Sequence, residues 1–477
     1  MNNLYKFFLA FVVLLLPFTA LAGNPEGHEI RITVNGFKEG NTYLLCNYYG
    51  DKQYIKDSAK AGPKGEMLFK GTNKYEQGLY FILRENKKYF DVIMDTDQHF
   101  TIETDTVDFV KHMKVKTSEE NNLFLTYQKF IISQQTLAEP LRAQLKQTKD
   151  KDSTKIIKDK LSKIDTAVTT YTRNFKKEHA GTFIVKLLTA GEDPVIPETP
   201  VLANGQKDTL FPFRYYKAHF FDNIDFNDER LLYSPVFHPK IKQYMERMTI
   251  QIPDSINVSA DYLVEKARNN TELFKYIVYW LTYNYESSKI MGMDAVFVHM
   301  VEKYYVTNQA YWVDSTQLYK ITNRAYTLKP ILIGKKAPAI NMVDSTNKPL
   351  ALYDVKGKYT VVIFWDEDCG HCQKEVPKLK ELYDSKLKAM GIQVYAISTE
   401  EKPKEWKKFI VDHKLNWLNV HQPDDYKRAV TKKIYDVIST PYIYLLDENK
   451  IIKAKHIDVE QLGNLIDAFE KEKIKKK

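Results

Sequence analysis

Cys369-Gly370-His371-Cys372 stands where the apolar run Tyr359 to Trp365 gives way to a helical pattern, and no other feature of the chain restricts its fold so tightly. A near-continuous apolar run bounded by polar residues reads as a strand buried on both faces. A thiol at the start of the following helix meets unpaired backbone N–H groups and the positive end of the helix dipole, both of which favour the thiolate. A second thiol three residues on lies on the same helical face one turn later, within reach of a disulfide with the first. Cys369 is therefore expected to be the nucleophile and Cys372 the resolving thiol. His371 places a titratable ring between them, and a positive charge there stabilises a thiolate. The run Asp366-Glu367-Asp368 acts in the opposite sense, because nearby negative charge raises a thiol pKa.

Three cysteines occur in 477 residues, the third being Cys46. That is too few for a disulfide-stapled scaffold, and two thiols this close in sequence close almost no loop, so the pair asks for a chemical role. Cys46 falls in the strand-like Tyr43-Leu44-Leu45-Cys46 and is expected as a buried core thiol. With 44% hydrophobic and 27% charged residues the chain can bury real cores. The net charge of +9 is spread over lysine-rich helical stretches and the closing Lys-Glu-Lys-Ile-Lys-Lys-Lys tail, without a nucleic-acid motif, so a solvated basic surface is expected and no nucleic-acid partner.

Lys6, the apolar run Phe7 to Phe18 and the small-residue pattern Ala20-Leu21-Ala22 predict an export signal over 1–22, with a mature chain from Gly23. The apolar run is short of the roughly 20 residues that span a bilayer, so a soluble protein of the periplasm or cell envelope is expected. From 23 to 116, alternating stretches such as His28 to Val34 and Tyr89 to Met94, separated by turns, predict a β-sandwich or barrel. From 117 to 330 the period becomes helical, first over Glu119 to Lys177, then after the proline-rich 192–200 over Thr271 to Tyr285 and Ala295 to Val306. Tyr276, Tyr279, Trp280 and Tyr283 crowd this region as a helical core would. His219, His238 and His299 stand alone, without the spacing of a metal site.

From 331 to 477 strands and helices alternate. Strands are expected at Tyr359–Trp365, Gln393–Ser398, Tyr442–Asp447 and Ile451–Ala454, and helices at Gly370–Met390, Pro403–His413 and from Val459, giving an α/β sheet covered on both faces. Gly334-Lys335-Lys336-Ala337-Pro338, Lys356-Gly357-Lys358, Val361 to Trp365, Cys369 to Pro377 and Ser439-Thr440-Pro441 together resemble the TlpA- and ResA-like thiol–disulfide oxidoreductases of the thioredoxin superfamily. The resemblance covers about the last third of the chain. It implies a thioredoxin-like domain and a cis peptide bond between Thr440 and Pro441, where Trp365, Thr440 and Pro441 receive a substrate strand. It also implies an acid, Glu375, that tunes thiol acidity one turn beyond Cys372. Departures are clear as well: Ile363 stands where thioredoxin carries a buried Asp, and Asp368 where it carries Trp.

The resemblance implies protein disulfide or dithiol substrates and a membrane electron donor, with no cofactor. The Gly-His pair is instead similar to that of disulfide isomerases, which sit near about −180 mV against about −270 mV for thioredoxin. Three other readings stand beside this one. A peroxiredoxin would place Thr or Ser and Pro where the chain has Asp366 and Val362, a zinc site would need two further ligands, and an envelope binding protein could use the redox domain as an accessory.

Overall fold

The computed structural model describes residues 26–475 apart from 86 and 401, so the expected export segment lies outside the described residues. Contacts divide the chain into two compact units, Met1–Lys240 and Ile241–Lys477.

In the first unit β1 (His28–Asn35), β2 (Thr42–Tyr49), β3 (Lys52–Lys60), β4 (Glu66–Gly71), β5 (Gly78–Arg84), β6 (Lys87–Met94), β7 (His99–Asp105) and β8 (Lys114–Lys116) form two sheets, ordered β4-β1-β7-β8 and β3-β2-β5-β6. Period-two alternation builds the core: Ile30, Ile32 and Val34 of β1 point inward while Arg31 and Asn35 face water. They meet Leu45, Ile82 and Val92 from the other sheet, which makes the expected sandwich. Cys46 is buried in β2, opposite Ile55 and Phe81 on the neighbouring strands.

The helical pattern from Glu119 to Lys177 is broken in the structure into α1 (Glu119–Gln147) and α2 (Lys151–Glu178), the second capped by the Asp150 carboxylate, which accepts from Ser153 N at 2.8 Å. Asn121 of α1 covers the open edge of β6, accepting from Ile93 N at 2.8 Å and donating to Ile93 O at 2.7 Å. Next to it, the buried Glu120 carboxylate accepts from Phe183 N at 2.6 Å and Ile184 N at 3.2 Å, satisfying the orphan donors that open α3 (Phe183–Gly191). The proline-rich 192–200 forms neither helix nor strand, and α4 (Phe211–Ala218) and α5 (Phe237–Arg247) follow it.

In the second unit α6 (Pro253–Lys266), α7 (Thr271–Glu286), α8 (Asp294–Met300), a π turn over Val301–Tyr305 and α9 (Ser315–Leu328) precede the sheet. Asp261 of α6 accepts from Tyr304 Oη at 2.9 Å and pairs with His299 and Lys303; burial would raise its pKa, but these partners outweigh it and hold it near about 2. The sheet contains β9 (Asn341–Asp344), β10 (Pro349–Ala351), β11 (Tyr359–Trp365), β12 (Gln393–Ser398), β13 (Leu418–His421), β14 (Tyr442–Asp447) and β15 (Ile452–Lys455), in the order β10-β9-β13-β12-β11-β14-β15. Its helices are α10 (Cys372–Leu382), α11 (Pro403–Asp412), α12 (Asp425–Ile434) and α13 (Val459–Lys475).

Every residue of β11 is buried, as the apolar run requires. Val361, Ile363 and Trp365 pack with Val376 and Leu379 of α10 and with Leu462 and Ile466 of α13, while Phe364 on the opposite face meets the ring of Tyr435, just beyond α12, at 5.2 Å. Burying each such large side chain contributes about 1.5–3 kcal/mol. Polar ties join α8 and α9 to this sheet. Arg324 forks onto Asp436, one arm at 3.0 Å, and Lys455, 2% exposed, pairs with Asp294 and donates to Ile331 O at 2.9 Å. The helices expected as one domain over 117–330 are therefore shared between the units: α1 to α4 lie in the first and α6 to α9 in the second.

Candidate active site

β11 ends at Trp365 and α10 begins at Cys372, so the motif occupies the turn between them. Asp366 O accepts from Cys369 N at 3.2 Å, and Cys369 O accepts from Gln373 N at 3.0 Å, which hands the turn over to the helix. The helix starts two residues later than the expected Gly370, and it gives way to a π turn at Tyr383–Leu387 before reaching Met390. His371 becomes its N-cap, and the carbonyl of His371 accepts from the N–H groups of both Lys374 and Glu375.

Both cysteines are free thiols in hydrogen-bonding contact with one another. Cys369 is partly exposed and Cys372 is fully buried on the inner face of α10. That difference in position divides their acidity. Burial acts to raise the pKa of Cys369. It is outweighed by hydrogen bonds from the Thr440 side chain, the backbone N–H groups of Cys372 and His371, and the Cys372 thiol, so Cys369 lies below the ordinary 9.0. Burial pushes Cys372 up to about 12 despite Asp366 N–H, which points at its sulfur from 3.5 Å. The two sulfurs thus differ in both access and acidity: Cys369 is reachable with its pKa lowered, and Cys372 is sealed with its pKa raised.

The Thr440–Pro441 peptide bond is cis, and Thr440 O accepts from Cys369 Sγ at 3.3 Å. The loop after α12 thus sets backbone groups beside the exposed sulfur, where an extended polypeptide can pair with them. Trp365 does not share this surface. It is 0% exposed, packed against Phe409 at 5.1 Å between ring centres, and its carbonyl accepts from Thr399 N at 3.0 Å. As the last residue of a strand buried on both faces it forms the floor of the site, which corrects its expected role in substrate contact.

The acidic run does not act as one block. Asp368 pairs with Lys402 beside the start of α11, which offsets its charge. Glu367 turns inward to 3% exposure, and neither carboxylate oxygen has a hydrogen-bond partner among the described residues. Burial, with the charges of Asp366 and Asp368 behind it, raises the Glu367 pKa. The sequence offered no means of telling Asp368 from its neighbours, since its partner is a lysine 34 residues away. His371 is exposed, and what it contributes to Cys369 is its backbone N–H.

Three family models match the chain. The AhpC/TSA family matches 333–455, and two domains of unknown function, DUF4369 and DUF5106, match 28–124 and 143–329. The thiol-disulfide oxidoreductase ResA of Bacillus thuringiensis subsp. konkukian is 33% identical over 122 residues, which cover 25% of this chain and 68% of that protein. The chain belongs to the ResA family of thiol–disulfide oxidoreductases. ResA of Bacillus subtilis is 30% identical over 121 residues, covering 25% of this chain and 65% of that protein. Among solved structures, a domain of a possible thiol-disulfide isomerase from Cytophaga hutchinsonii is 46% identical, covers 31% of this chain and 97% of its own, and has a TM-score of 0.28.

Glu375 is the acid for which a tuning role is expected. It sits in the first turn of α10 as the motif requires, but its half-buried carboxylate is held by Lys378 at 2.6 Å. It lines a cavity of about 590 Å³ between α10 and α13, with Asp458, Glu460 and Asp467. Among the described residues no group of three His, Cys, Asp or Glu side chains is placed to hold a metal.

Proposed function

We propose that the chain is an exported thiol–disulfide oxidoreductase that reduces disulfides of client proteins through Cys369 and Cys372. The observation that carries this reading is the asymmetry of the two sulfurs: one partly exposed with a lowered pKa, the other sealed beneath it with a pKa near about 12. The Cys369 thiolate attacks one sulfur of the client disulfide, so that a Cys369–client S–S bond forms and the client's own S–S bond breaks. The departing client thiolate takes up a proton. Cys372, giving up its proton, then attacks Cys369 Sγ and releases the second client thiol. Two electrons have passed to the client, and the enzyme is left with a Cys369–Cys372 disulfide. A dithiol donor at the membrane, which the family implies, returns the pair to its reduced state.

Export is supported by the pattern at Lys6 to Ala22 and by the family, and no helix of the described residues is long and apolar enough to cross a membrane. The full chain with dithiothreitol should reduce insulin faster than the reagent alone, and Cys369→Ser should return the rate to that of the reagent. A wild-type rate no faster than the reagent refutes the enzyme reading and leaves client binding by the sandwich and helices as the better account.

A further inference from the structure

A groove of about 410 Å³ runs between α9 and α12, and its lining includes Tyr319, Lys320, Arg324, Lys433, Asp436 and Ile438. One wall is the loop that carries the reactive surface: Asp436-Val437-Ile438 leads directly into Ser439-Thr440-Pro441, whose Thr440 carbonyl touches Cys369. The other wall is α9, which lies before the sheet and outside the residues 333–455 that match the AhpC/TSA family. The forked Arg324–Asp436 pair fixes α9 to the loop, with the Asp436 side chain 6% exposed.

The chemistry of the lining is lopsided. Tyr319 is 69% and Ile438 79% exposed, two large apolar surfaces facing water at the groove. Arg324 is neutralised by Asp436, and Lys432 reaches Glu400 at 3.5 Å. Lys320 and Lys433 have no ion-pair partner among the described residues, so the groove keeps a positive excess. Ile438 stands two residues before Thr440, at most about 7 Å away along a chain that bends at Ser439 and Thr440. A client strand pairing beside Thr440 and continuing in the same direction brings residues about two to five positions from its cysteine over Ile438 and α9.

We infer that the α9–α12 groove is a client-selecting subsite, which takes an extended polypeptide segment bearing acidic and aromatic or aliphatic residues next to the reactive cysteine. The inference rests on the redox reading above and deepens it, giving the helix ahead of the sheet a part in the choice of substrate. Apolar contact with Tyr319 and Ile438 supplies affinity, and the free lysines supply discrimination and a faster encounter.

The test uses the full chain, dithiothreitol as reductant, a small aromatic disulfide and two disulfide-bonded peptides. One peptide carries Asp, Glu, Phe and Leu around its cysteine, the other Lys and Ser. The acidic–apolar peptide is expected to show a kcat/KM about tenfold higher than the basic one, with a preference that shrinks as salt rises. Lys320→Glu with Lys433→Glu should reduce the preference to about twofold or less, and Tyr319→Ser with Ile438→Ser should lower the rate for the acidic–apolar peptide independently of salt. Lys155→Glu with Lys158→Glu, the same change in net charge on two exposed positions of α2, should leave the preference intact. Equal effects of the two charge reversals would assign the preference to the overall field and overturn the inference, as would wild-type reduction of both peptides at one rate. A preference that disappears as protein concentration rises would put a second copy of the chain in the groove and also overturn it. Failure to reduce even the small disulfide strikes instead at the redox reading.

Discussion

Cys46 lies in the middle of a strand in the first unit, and Cys369 just past the end of one in the second. Around Cys46, Ile55 and Phe81 stand on the adjoining strands, and burial alone acts on the thiol and raises its pKa. Around Cys369 the chain leaves the sheet, turns, and opens a helix whose first N–H groups point back at the sulfur, so burial is overcome. The same side chain is buried packing in one place and, on the proposed reaction, a nucleophile in the other. What separates them is the strand-to-helix junction, which supplies donors that a continuous strand spends on its neighbours.

The largest effect expected from this contrast is on turnover. Cys369→Ser should lower disulfide reduction about a thousandfold or more while Cys46→Ser leaves it nearly unchanged, and comparable losses at both positions would break the contrast. Next comes stability, read from urea midpoints. Trp365→Ala should cost about 3–5 kcal/mol by opening a cavity beneath the site, against about 1 kcal/mol for Cys46→Ala, which removes one sulfur atom. Alkylation by iodoacetamide sharpens the contrast further. The thiolate is the reacting form, so the lowered pKa of Cys369 predicts modification that rises with pH about a midpoint under 9.0, while the buried Cys46 and Cys372, whose pKa values burial raises, should stay unmodified in the folded chain. The smallest effect belongs to Glu375→Gln. Its partner is the exposed Lys378, so stability should change by less than about 1 kcal/mol. If the carboxylate acts on Cys369 in solution, losing its negative charge moves the alkylation midpoint to lower pH; an unmoved midpoint marks the pair as surface only.

The sequence was most legible where period and composition agreed. β11, β12 and β14 fall on the residues expected, and α11 ends one residue early. Within 331–477 four short elements, β9, β10, β13 and α12, went unread. Three of them are strands of three or four residues with polar positions, too brief for alternation to register, and α12 is dominated by charged residues. At the site, the pair of thiols and the loop at Thr440 and Pro441 were visible because each has a local signature. The capture of Asp368 by Lys402 and the clasp of Arg324 on Asp436 were not, because each depends on a partner far along the chain, nor was the inward turn of Glu367, whose carboxylate has no hydrogen-bond partner among the described residues. Trp365 misled for a related reason: a strand shows that a residue is apolar, and only the layers around it show that it cannot be reached.

The sealing of Cys372 dictates an order of events. Any visitor from solvent meets a single sulfur of the pair, so on the proposed reaction the first bond forms at Cys369 and the second from within. Should a peroxide oxidise Cys369 to the sulfenic acid, the thiol beneath is already in place to condense with it, closing a reversible ring ahead of irreversible overoxidation. Burial of one atom therefore serves as both turnstile and safety catch.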